Sequence, residues 1–444
     1  MSKESLLSLL EDIVGKDNVL SAEIDRVAYS FSAYNIWSKP DFVIRPVDPE
    51  EVADILVECS KNGVPVVPRG NGTSLVGGPI SSSGAIMSMR RMNSVLEVNL
   101  DDMTATVEAG VCLRELLKEL PEDLFFPIDP DGMCLSTFGG MVAENSASPL
   151  SLFYGTVEES VLGLEVVTAD GSIWELGSTI PCEGKMEKLF IGTEGTLGVI
   201  TKAKVRLRRR PPKLFDLTVD FSHVGDAIDL YNRLSYRGEL MLGYTIYYRD
   251  VFEKHLPDER LGARVYAVIP HEPHDLVKFI KGLSEELEIL RVDVSELDPR
   301  ILPHWKGNMY LIENLKTTGR TVNFVSFTTN FDLLHEAVSR IDHVGARMKL
   351  NTVTIINPGL NWILTGFSYD SLDGKSRERA HKAVEMLVHS LEELGVSFGY
   401  GTGVGFNMAG LKFKELDNEA LYREIKKILD PNGIMNPGKV VLGD

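Results

Sequence analysis

A glycine-rich stretch near the start of the chain, PRGNGTSLVGG at residues 68–78, has the composition of an anion-binding loop. It follows a short apolar strand candidate, Val64–Val67. Glycine lets the main chain approach a ligand closely, and successive N–H groups in such a turn form a concavity that binds anions. We therefore predict a cradle for the pyrophosphate of a dinucleotide. The alternative interpretation is a purely structural glycine-rich turn.

The stretch differs from the G-x-G-x-x-G fingerprint of nicotinamide-binding folds. Its third glycine position is taken by Leu75, and no helical pattern follows. In that fingerprint the third glycine packs the helix that opens at the phosphates. We expect instead a phosphate loop between two strands, which favours a flavin over a nicotinamide.

Two further glycine-rich segments follow. Residues 126–156 form a long irregular run that contains Gly139 and Gly140, and residues 191–200 carry Gly192, Gly195 and Gly198 just before a strand. A long irregular run inside a compact domain is usually functional or disordered. The first run has too many apolar residues to be disordered, so we expect both segments to contribute to a site.

Composition limits the classes of partner and cofactor. The chain has 444 residues, enough for two or three domains, and its formal net charge of −18 argues against nucleic acid and against an anionic membrane surface. An anionic cofactor must therefore be held by local donors. Its four cysteines contain no C-x-x-C pair, so no iron–sulfur or structural zinc motif is recognised. All nine histidines lie between His223 and His389, which excludes a histidyl-linked flavin in the first 222 residues.

The first residues, MSKESLLSLLEDIVG, have no long apolar run. We expect no signal peptide and no transmembrane segment. Sparse cysteine suits a reducing compartment, so a cytoplasmic location is expected, and peripheral attachment to a membrane through a partner remains open.

Periodicity and caps predict the supporting elements. Apolar spacing predicts a helix over residues 2–16, and Asp48 followed by Pro49 predicts a helix start. Residues 84–110 read as three paired strands, and the turn Ala169-Asp170-Gly171 predicts a hairpin. These elements predict an α+β domain with a mixed sheet.

The basic run Arg208–Lys213 is interpreted as a surface linker at a domain boundary, with phosphate binding as the alternative. Beyond it, strands and helices alternate in a way that predicts an antiparallel sheet with helices on one face. The predicted domains are 1–210, with subdomains of roughly 1–100 and 101–210, a substrate cap over 211–395, and a C-terminal segment over 396–444 that returns to the first domain.

Five segments in order carry a family resemblance: PRGNGTSLVGG, DPDGMCLSTFGGMVAEN, YGTVEESVLGLEVVTADG, GTEGTLGVIT and LDPNGIMNPGKV. Together they resemble the FAD-linked oxidases of the vanillyl-alcohol oxidase and p-cresol methylhydroxylase superfamily, nearest to the branch of glycolate oxidase flavoprotein subunits and D-lactate dehydrogenases. The resemblance implies a two-subdomain FAD-binding domain of the p-cresol methylhydroxylase type, an α+β cap with an antiparallel sheet, and a non-covalent FAD.

The resemblance also implies cofactor-binding residues, in five groups. The pyrophosphate would be wrapped by Pro68, Arg69, Gly70, Asn71, Gly72, Thr73, Ser74, Gly77 and Gly78. The ribityl and isoalloxazine region would be lined by Asp129, Thr137, Gly139 and Gly140, with Tyr154, Gly155 and Thr156 also facing the cofactor. The adenosine half would lie by Glu194, Gly195, Gly198 and Ile200, and Asn436 and Lys439 would bring the tail back to the flavin.

Two departures from the hydroxy-acid branch stand out. The cap stretch that usually carries paired metal-binding histidines reads INPGLNW at residues 356–362, and the usual Glu-His-Gly of the tail is replaced by FGYGTG at residues 398–403. Metal ligands of the expected type are thus missing, and no metal is predicted. Tyr400 becomes the candidate base, and it needs a depressed pKa or a nearby cation.

Candidates for substrate contact lie in the cap. Arg320, Lys306 and Lys316 are candidates for binding a substrate anion, since arginine holds a carboxylate bidentately. His304, beside Trp305, is a candidate for contacting the substrate.

The predicted function is oxidation of the alcohol carbon of a small D-2-hydroxy acid, of the D-lactate or glycolate type, by hydride transfer to flavin N5. Two alternatives remain: a flavoenzyme for a sugar or glycerol-phosphate type of alcohol, or an FAD-containing electron-transfer subunit of a larger complex. The implied partners are a small-molecule substrate and an iron–sulfur or other electron-acceptor protein, with a homo-oligomer left open.

Overall fold

The computed structural model describes residues 3–31, 38–81, 83–130, 134–177, 185–248, 260–298, 319–398 and 419–439. Within these ranges the chain forms three main sheets with their own helices. The candidate residues Tyr400, His304, Lys306 and Lys316 lie outside the described residues.

The N-terminal part is a small mixed sheet flanked by helices. Its elements are α1 (Lys3–Val14), β1 (Val19–Leu20), α2 (Glu23–Ala28), β2 (Phe42–Ile44), α3 (Pro49–Lys61), β3 (Val66–Arg69) and β4 (Ala85–Ser88). The strand order is β1-β2-β4-β3, and β2, β4 and β3 run parallel. As predicted, Asp48 caps α3: its Oδ1 accepts a hydrogen bond from the backbone N–H of Glu51 at 2.8 Å. The glycine loop follows directly after β3.

The second sheet is antiparallel and carries the other two glycine segments. Its elements are β5 (Val95–Asn99), β6 (Thr104–Glu108), α4 (Leu113–Glu119), β7 (Leu124–Phe125), α5 (Phe138–Ala143), α6 (Ser151–Tyr154), β8 (Val161–Val167), β9 (Ile173–Leu176), β10 (Val199–Arg206) and β11 (Arg208–Arg209). Five of these strands form the sheet in the order β5-β6-β10-β8-β9. The predicted hairpin is confirmed, since β8 and β9 pair antiparallel across residues 168–172.

The prediction that residues 84–110 form three mutually paired strands is wrong for β4. This strand lies between β2 and β3 in the parallel sheet, and β5 pairs with β6 in the next one. All four residues of β4 are buried, as is typical of a parallel strand covered on both faces. The chain therefore changes sheets between Ser88 and Val95, earlier than the expected subdomain limit near residue 100. The domain limits themselves stay a prediction.

The basic run is not a simple solvated linker. Arg208 and Arg209 form β11, which pairs with β7. The guanidinium groups of Arg208 and Arg210 lie 5.9 Å and 5.2 Å from the ring centroids of Tyr154 and Phe125. Such stacking over aromatic faces is favourable for arginine, so part of the cluster is used in packing.

The cap is an eight-stranded sheet with all pairs antiparallel. Its elements are β12 (Leu214–Phe221), α7 (Val224–Arg237), β13 (Gly243–Tyr248), β14 (Ala263–Ile269), α8 (His274–Gly282), β15 (Ile289–Leu297), β16 (Arg320–Thr328), α9 (Leu334–Met348), β17 (Thr352–Asn357), β18 (Trp362–Asp370), α10 (Gly374–Glu392) and β19 (Ser397–Phe398). The order is β15-β12-β14-β13-β17-β18-β16-β19. Residues of α7, α8, α9 and α10 share one apolar core with one face of the sheet. The predicted antiparallel cap with helices on one face is confirmed.

The other face of the cap sheet, which we call the inner face, is also buried and largely apolar. Successive side chains of a strand point to opposite faces, so Tyr247, Phe324 and Trp362 lie on the face away from the helices. They form a separate apolar cluster, and Leu75 of the glycine loop packs against it. The inner face therefore abuts the predicted phosphate loop.

The tail returns to the N-terminal sheet. It contains α11 (Glu419–Leu429), and Met435 forms a parallel bridge with Val66 of β3. Short 3₁₀ helices complete the described chain, at Lys16–Asn18, Met89–Arg91, Val157–Glu159, Met186–Leu189, Phe331–Leu333 and Pro358–Leu360. Over the described ranges, no helix has both the length and the apolar character needed to cross a membrane.

Candidate functional site

A cleft lies where the glycine loop meets α5 and the loop before β10. Its two adjoining pockets are lined by all three glycine segments. The lining residues are Pro68, Arg69, Gly70, Asn71, Gly72, Thr73, Ser74, Gly78, Pro79, Met89, Ala109, Ser136, Thr137, Gly139, Gly140, Met141, Ala143, Glu144, Ser146, Glu194, Gly195, Gly198 and Ile200. Segments more than 100 residues apart in sequence thus share one cleft, which we call the cradle.

The glycine loop presents free backbone donors. The backbone N–H groups of Asn71, Gly72 and Thr73 have no hydrogen-bond acceptor within the described chain. Their loop is held in place by side chains: Asn71 Nδ2 donates to Leu135 O at 2.6 Å, and Thr73 Oγ1 lies 2.9 Å from Ser136 Oγ. Unsatisfied, successive N–H groups on a fixed loop form a site for an anion.

Close packing explains the glycine at residue 70. A Cβ atom at Gly70 would lie 2.0 Å from Thr137 Oγ1, the residue that precedes α5. Any side chain there would push the loop away from the helix. Gly72 is required for a different reason, because its φ of +71° is a conformation that other residues rarely adopt.

Arg69 holds the loop from behind. Its guanidinium donates to Phe31 O at 2.8 Å and to Pro79 O at 3.1 Å, and it lies 5.9 Å from the centroid of the Tyr29 ring. Burial lowers the pKa of the Arg69 guanidinium. A Cβ at Gly72 would lie 2.2 Å from Arg69 Nη2. Arg69 therefore stabilises the conformation of the glycine loop.

Two carboxyl groups face the same point of the cradle. A Cβ at Gly78 would lie 3.0 Å from Glu194 Oε2, 3.5 Å from Glu144 Oε1 and 3.7 Å from Ser74 Oγ. Burial, together with the charge of Glu194, raises the pKa of Glu144 to about 8, although a hydrogen bond with Ser74 opposes this rise. Glu144 is therefore a neutral acid at pH 7.

The tail closes the cradle from below. Lys439 Nζ donates to Gly77 O at 2.9 Å and to Ile80 O at 3.2 Å, and Asn436 Nδ2 donates to Glu194 O at 2.6 Å and to Gly78 O at 3.3 Å. Burial lowers the pKa of Lys439 to about 8, with Glu194 acting in the opposite direction. Through these bonds Asn436 and Lys439 fix the positions of the glycine loop and of the segment that carries Glu194.

Three glycines that line one of the two pockets pack closely against neighbouring elements. Cβ atoms at Gly139, Gly195 and Gly198 would lie 2.8 Å from Ala109 Cβ, 2.9 Å from Pro68 Cγ and 2.6 Å from Val166 Cγ1. Ile200 is largely buried and lines this pocket. These glycines thus let the main chain approach side chains of neighbouring elements closely.

Comparison with known proteins decides the family. The FAD binding domain family matches residues 40–177, and the C-terminal domain family of FAD linked oxidases matches residues 327–440. The glycolate oxidase subunit GlcD of Escherichia coli (strain K12) is 34% identical over 455 residues, which span 98% of this chain and 90% of that protein. The chain belongs to the FAD-linked oxidases. The mitochondrial D-lactate dehydrogenase [cytochrome] of Arabidopsis thaliana is 28% identical over 462 residues, spanning 99% of this chain and 80% of that protein.

The fold agrees with this assignment. The structure of p-cresol methylhydroxylase with substrate bound superposes with a TM-score of 0.77, covering 98% of this chain and 96% of that one at 16% identity. This FAD-linked oxidase therefore has the p-cresol methylhydroxylase type of fold and is an oxidoreductase with FAD as its cofactor.

The cradle fits the phosphates of FAD. It offers the free N–H groups of Asn71, Gly72 and Thr73, and glycines admit a ligand close to the main chain. Among the described residues, Asn436 Oδ1 is a buried acceptor without a partner, which suits a hydroxyl or N–H donor of the cofactor and not a phosphate oxygen. The first 222 residues contain no histidine, so a histidyl–flavin link within them is excluded, which is consistent with a non-covalently bound FAD.

Some predicted cofactor residues do not line the cradle. Asp129 accepts hydrogen bonds from the N–H and Sγ of Cys134, both at 3.3 Å. Tyr154 packs edge-on against Phe125, with centroids 5.7 Å apart, and burial raises the pKa of its phenol. Gly155 and Thr156 follow it in the chain, away from both pockets. Gly77, whose carbonyl accepts a hydrogen bond from Lys439, also lines neither pocket, and the cofactor roles of these residues stay a prediction.

Several lining residues were not predicted from the sequence. They are Pro79, Met89, Ala109, Ser136, Met141, Ala143, Glu144 and Ser146. Glu144 and Ser146 lie at or just after the end of the recognised GGMVAEN segment, so a carboxylate directly after a glycine-opened helix was the available signal. Met89 and Ala109 lie in or next to strands, and no local pattern distinguishes them from core residues.

Of the candidates for substrate contact, Arg320 lies within the residues that the structure describes. It opens β16 on the inner face, where its Nε donates to Ser368 Oγ at 2.7 Å and its Nη2 donates to Ser368 O at 2.8 Å. The INPGLNW stretch, predicted to replace the metal-binding histidines, contains a 3₁₀ turn at Pro358–Leu360. In the described part of the chain, no group of three or more His, Cys, Asp or Glu side chains is arranged to hold a metal.

Proposed function

We propose that this FAD-linked oxidase oxidises the alcohol carbon of a small D-2-hydroxy acid, of the D-lactate or glycolate type, to the 2-oxo acid. Support comes from the names of the two curated relatives, one a glycolate oxidase subunit and the other a D-lactate dehydrogenase. The structural observation that carries the proposal is Arg320, a cation on the inner face of the cap sheet that has no carboxylate partner in the described chain.

The geometry suits capture of a substrate carboxylate. Ser368 holds the guanidinium by one edge through its hydroxyl and carbonyl oxygens. Nη1 and the remaining Nη2 hydrogen are left to donate, and guanidinium–carboxylate pairs of this kind are charge-assisted. The apolar side chains of the inner face exclude water from the same side of the sheet, which strengthens such a pair.

Bound FAD supplies a hydride acceptor at flavin N5. The protein's task is to orient the substrate C–H and to take the hydroxyl proton when the carbonyl forms. We propose Tyr400 as the group that accepts this proton, a role that requires a lowered phenol pKa. His304, Lys306 and Lys316 remain secondary proposals for substrate contact.

A second candidate function is an FAD-containing electron-transfer subunit. It is favoured by one observation: the turn at Pro358–Leu360 carries no histidine where the hydroxy-acid branch has metal ligands. The name of the Escherichia coli relative, a subunit, is consistent with assembly into a larger complex. An electron-acceptor protein, with or without an iron–sulfur cluster, and a cytoplasmic location belong to this proposal as well.

The test is anaerobic reduction of the purified flavoprotein. D-lactate or glycolate should bleach the flavin absorption, and L-lactate and glycerol 3-phosphate should do so far more slowly. Bleaching by glycerol 3-phosphate alone would support another alcohol substrate. Intact flavin that no alcohol reduces would contradict the proposal and favour the electron-transfer subunit.

Arg320→Ala makes the test specific. Loss of a hydrogen-bonded charge costs about 1.5–3 kcal/mol, so the apparent affinity for D-lactate should fall about 10- to 150-fold, with FAD content unchanged. The uncharged analogue (R)-1,2-propanediol should be oxidised equally well by both proteins. Arg379→Ala, at an exposed position of α10 on the opposite side of the sheet, is the matched control. Equal loss for lactate and propanediol would exclude carboxylate binding by Arg320.

A further inference from the structure

Two acids on the wall of a site for an anionic cofactor require an explanation. The diphosphate of FAD carries negative charge, and the chain already has a net charge of −18. Glu144 and Glu194 both face Gly78, and they line the same pocket as the loop residues that carry the free N–H groups. Two ionised carboxylates there would repel each other and the phosphates.

The surroundings of the two acids differ. The described groups that face Glu144 are the Ser74 hydroxyl and the carboxyl of Glu194. Glu194 is close enough to Lys439 for the carboxylate to stabilise that ammonium. The guanidinium of Arg69, which also lines the cradle, donates to Phe31 O and Pro79 O. A cation thus offsets the charge of Glu194, and Glu144 faces a hydroxyl and a second acid.

We infer that Glu144 enters the FAD complex as a neutral acid and donates a hydrogen bond from its carboxyl group to a phosphate oxygen of the cofactor. A protonated carboxyl group is a donor as well as an acceptor, and a hydrogen bond to a charged oxygen is among the stronger kinds. The acid thereby adds a donor to the loop N–H groups without adding charge.

The inference explains how an anionic cofactor can bind beside the two acids Glu144 and Glu194. Asn71, Gly72 and Thr73 have free backbone N–H groups and line the same pocket as Glu144, which follows the last residue of α5. A neutral Glu144 adds one more hydrogen-bond donor to these N–H groups. Ionisation of Glu144 converts one donor into a repelling charge, so FAD should be bound less tightly in alkaline solution.

The sign follows from linkage. The pKa of Glu144 is raised to about 8, so the neutral form dominates at pH 7 and the ionised form at pH 9. If FAD binds the neutral form alone, the dissociation constant should increase about 10-fold between pH 7 and pH 9 through this group. Lys439 has its pKa lowered to about 8, and loss of its charge weakens anion binding over the same range.

The experiment compares variants so that the contribution of Lys439 cancels. Wild-type holoenzyme, Glu144→Gln and Glu97→Gln are serially diluted between pH 6.5 and 9.5, and released FAD is measured by its fluorescence. Glutamine keeps a donor and cannot ionise. We expect Glu144→Gln to bind FAD within a few-fold of wild type at pH 7 and about 10-fold more tightly than wild type at pH 9. Glu97 is exposed on β5, and its variant should follow wild type.

Three outcomes would overturn the inference. The wild-type dissociation constant could be independent of pH, or the Glu144→Gln variant could weaken with pH as much as wild type. Weaker binding by the variant at every pH, with wild-type affinity improving as pH rises, would instead make Glu144 an ionised acceptor for a sugar hydroxyl.

Ser74→Ala provides a second variant if Glu144→Gln does not fold. The Ser74 hydrogen bond lowers the pKa of Glu144, so its removal should move the alkaline loss of FAD to higher pH. An unchanged midpoint would contradict the inference. No substrate is present in these assays, so their outcome is independent of the proposed hydroxy-acid activity.

Discussion

Substitution of Gly70 by alanine tests whether the glycine loop and α5 form one cradle. The new methyl group would lie 2.0 Å from Thr137 Oγ1, 3.0 Å from Thr137 Cβ and 3.1 Å from Thr137 Cγ2. The Oγ1 contact is about 1.4 Å shorter than an ordinary van der Waals contact. Rotation of the threonine offers little relief, because it is β-branched and stiff at χ1, and its Cβ and Cγ2 are close as well.

The loop and the start of α5 must therefore separate. Overpacking of this kind costs about 1–3 kcal/mol. Since both elements line the cradle, we expect the cost to fall on FAD binding, as an increase of about 5- to 150-fold in the dissociation constant. Flavin fluorescence on dilution of the holoenzyme measures this directly.

A double mutant separates this mechanism from general damage. Thr137→Ala removes Oγ1 and Cγ2, so Gly70→Ala/Thr137→Ala should recover much of the affinity that Gly70→Ala loses. Gly282→Ala is the control, because a Cβ there meets no atom within 4 Å. Wild-type FAD affinity in Gly70→Ala, or no recovery in the double mutant, would refute the packing argument.

Two further predictions concern stability. Asp48→Ala removes the cap of α3 and should lower the unfolding free energy by about 1 kcal/mol, seen as a lower melting temperature that Asp48→Asn largely retains; equal losses in both variants would exclude the cap. In the wild type, Arg264 Nε and Nη2 donate to Asp220 Oδ1 and Oδ2 at 2.5 and 2.7 Å. Asp220→Asn removes this charged bidentate partner from a buried arginine and should lower the unfolding free energy, measured in urea, by about 3–5 kcal/mol. The double variant Asp220→Asn/Arg264→Met should be more stable than Asp220→Asn, and a single variant as stable as wild type would contradict the pairing.

Features of the fold encoded by neighbouring residues were predictable from the sequence. Asp48 and Pro49 begin a helix because an acceptor side chain and a fixed φ act within one turn. The partners of β4 were not predictable, because its apolar run shows that both faces are buried without identifying the strands beside it. The packing of Arg208 and Arg210 was missed for a similar reason, since the rings of Tyr154 and Phe125 come from distant segments.

The functional site, too, was predictable only where a feature depends on residue type or on neighbouring residues. Glycine-rich composition identified the segments that the structure brings together at one cleft, since close backbone approach depends on residue type. The protonation of Glu144 depends on Glu194, 50 residues away in the chain, and on burial among segments that meet in the fold. The orientation of Arg69 likewise depends on Phe31 and Pro79. Such properties arise from three-dimensional neighbours and have no local signature.

The closure of the cradle by Lys439 and Asn436 has a consequence for biosynthesis. These residues are bonded to Gly77 O and Gly78 O, which lie 362 and 358 positions earlier in the chain, and Met435 bridges to Val66. N-terminal segments leave the ribosome first and begin to fold during synthesis, and contacts of such long separation form late. The support of the phosphate loop therefore stays incomplete until Asn436 and Lys439 have left the ribosome. Stable insertion of FAD should therefore depend on the synthesis of Asn436 and Lys439 and not on the N-terminal segments alone.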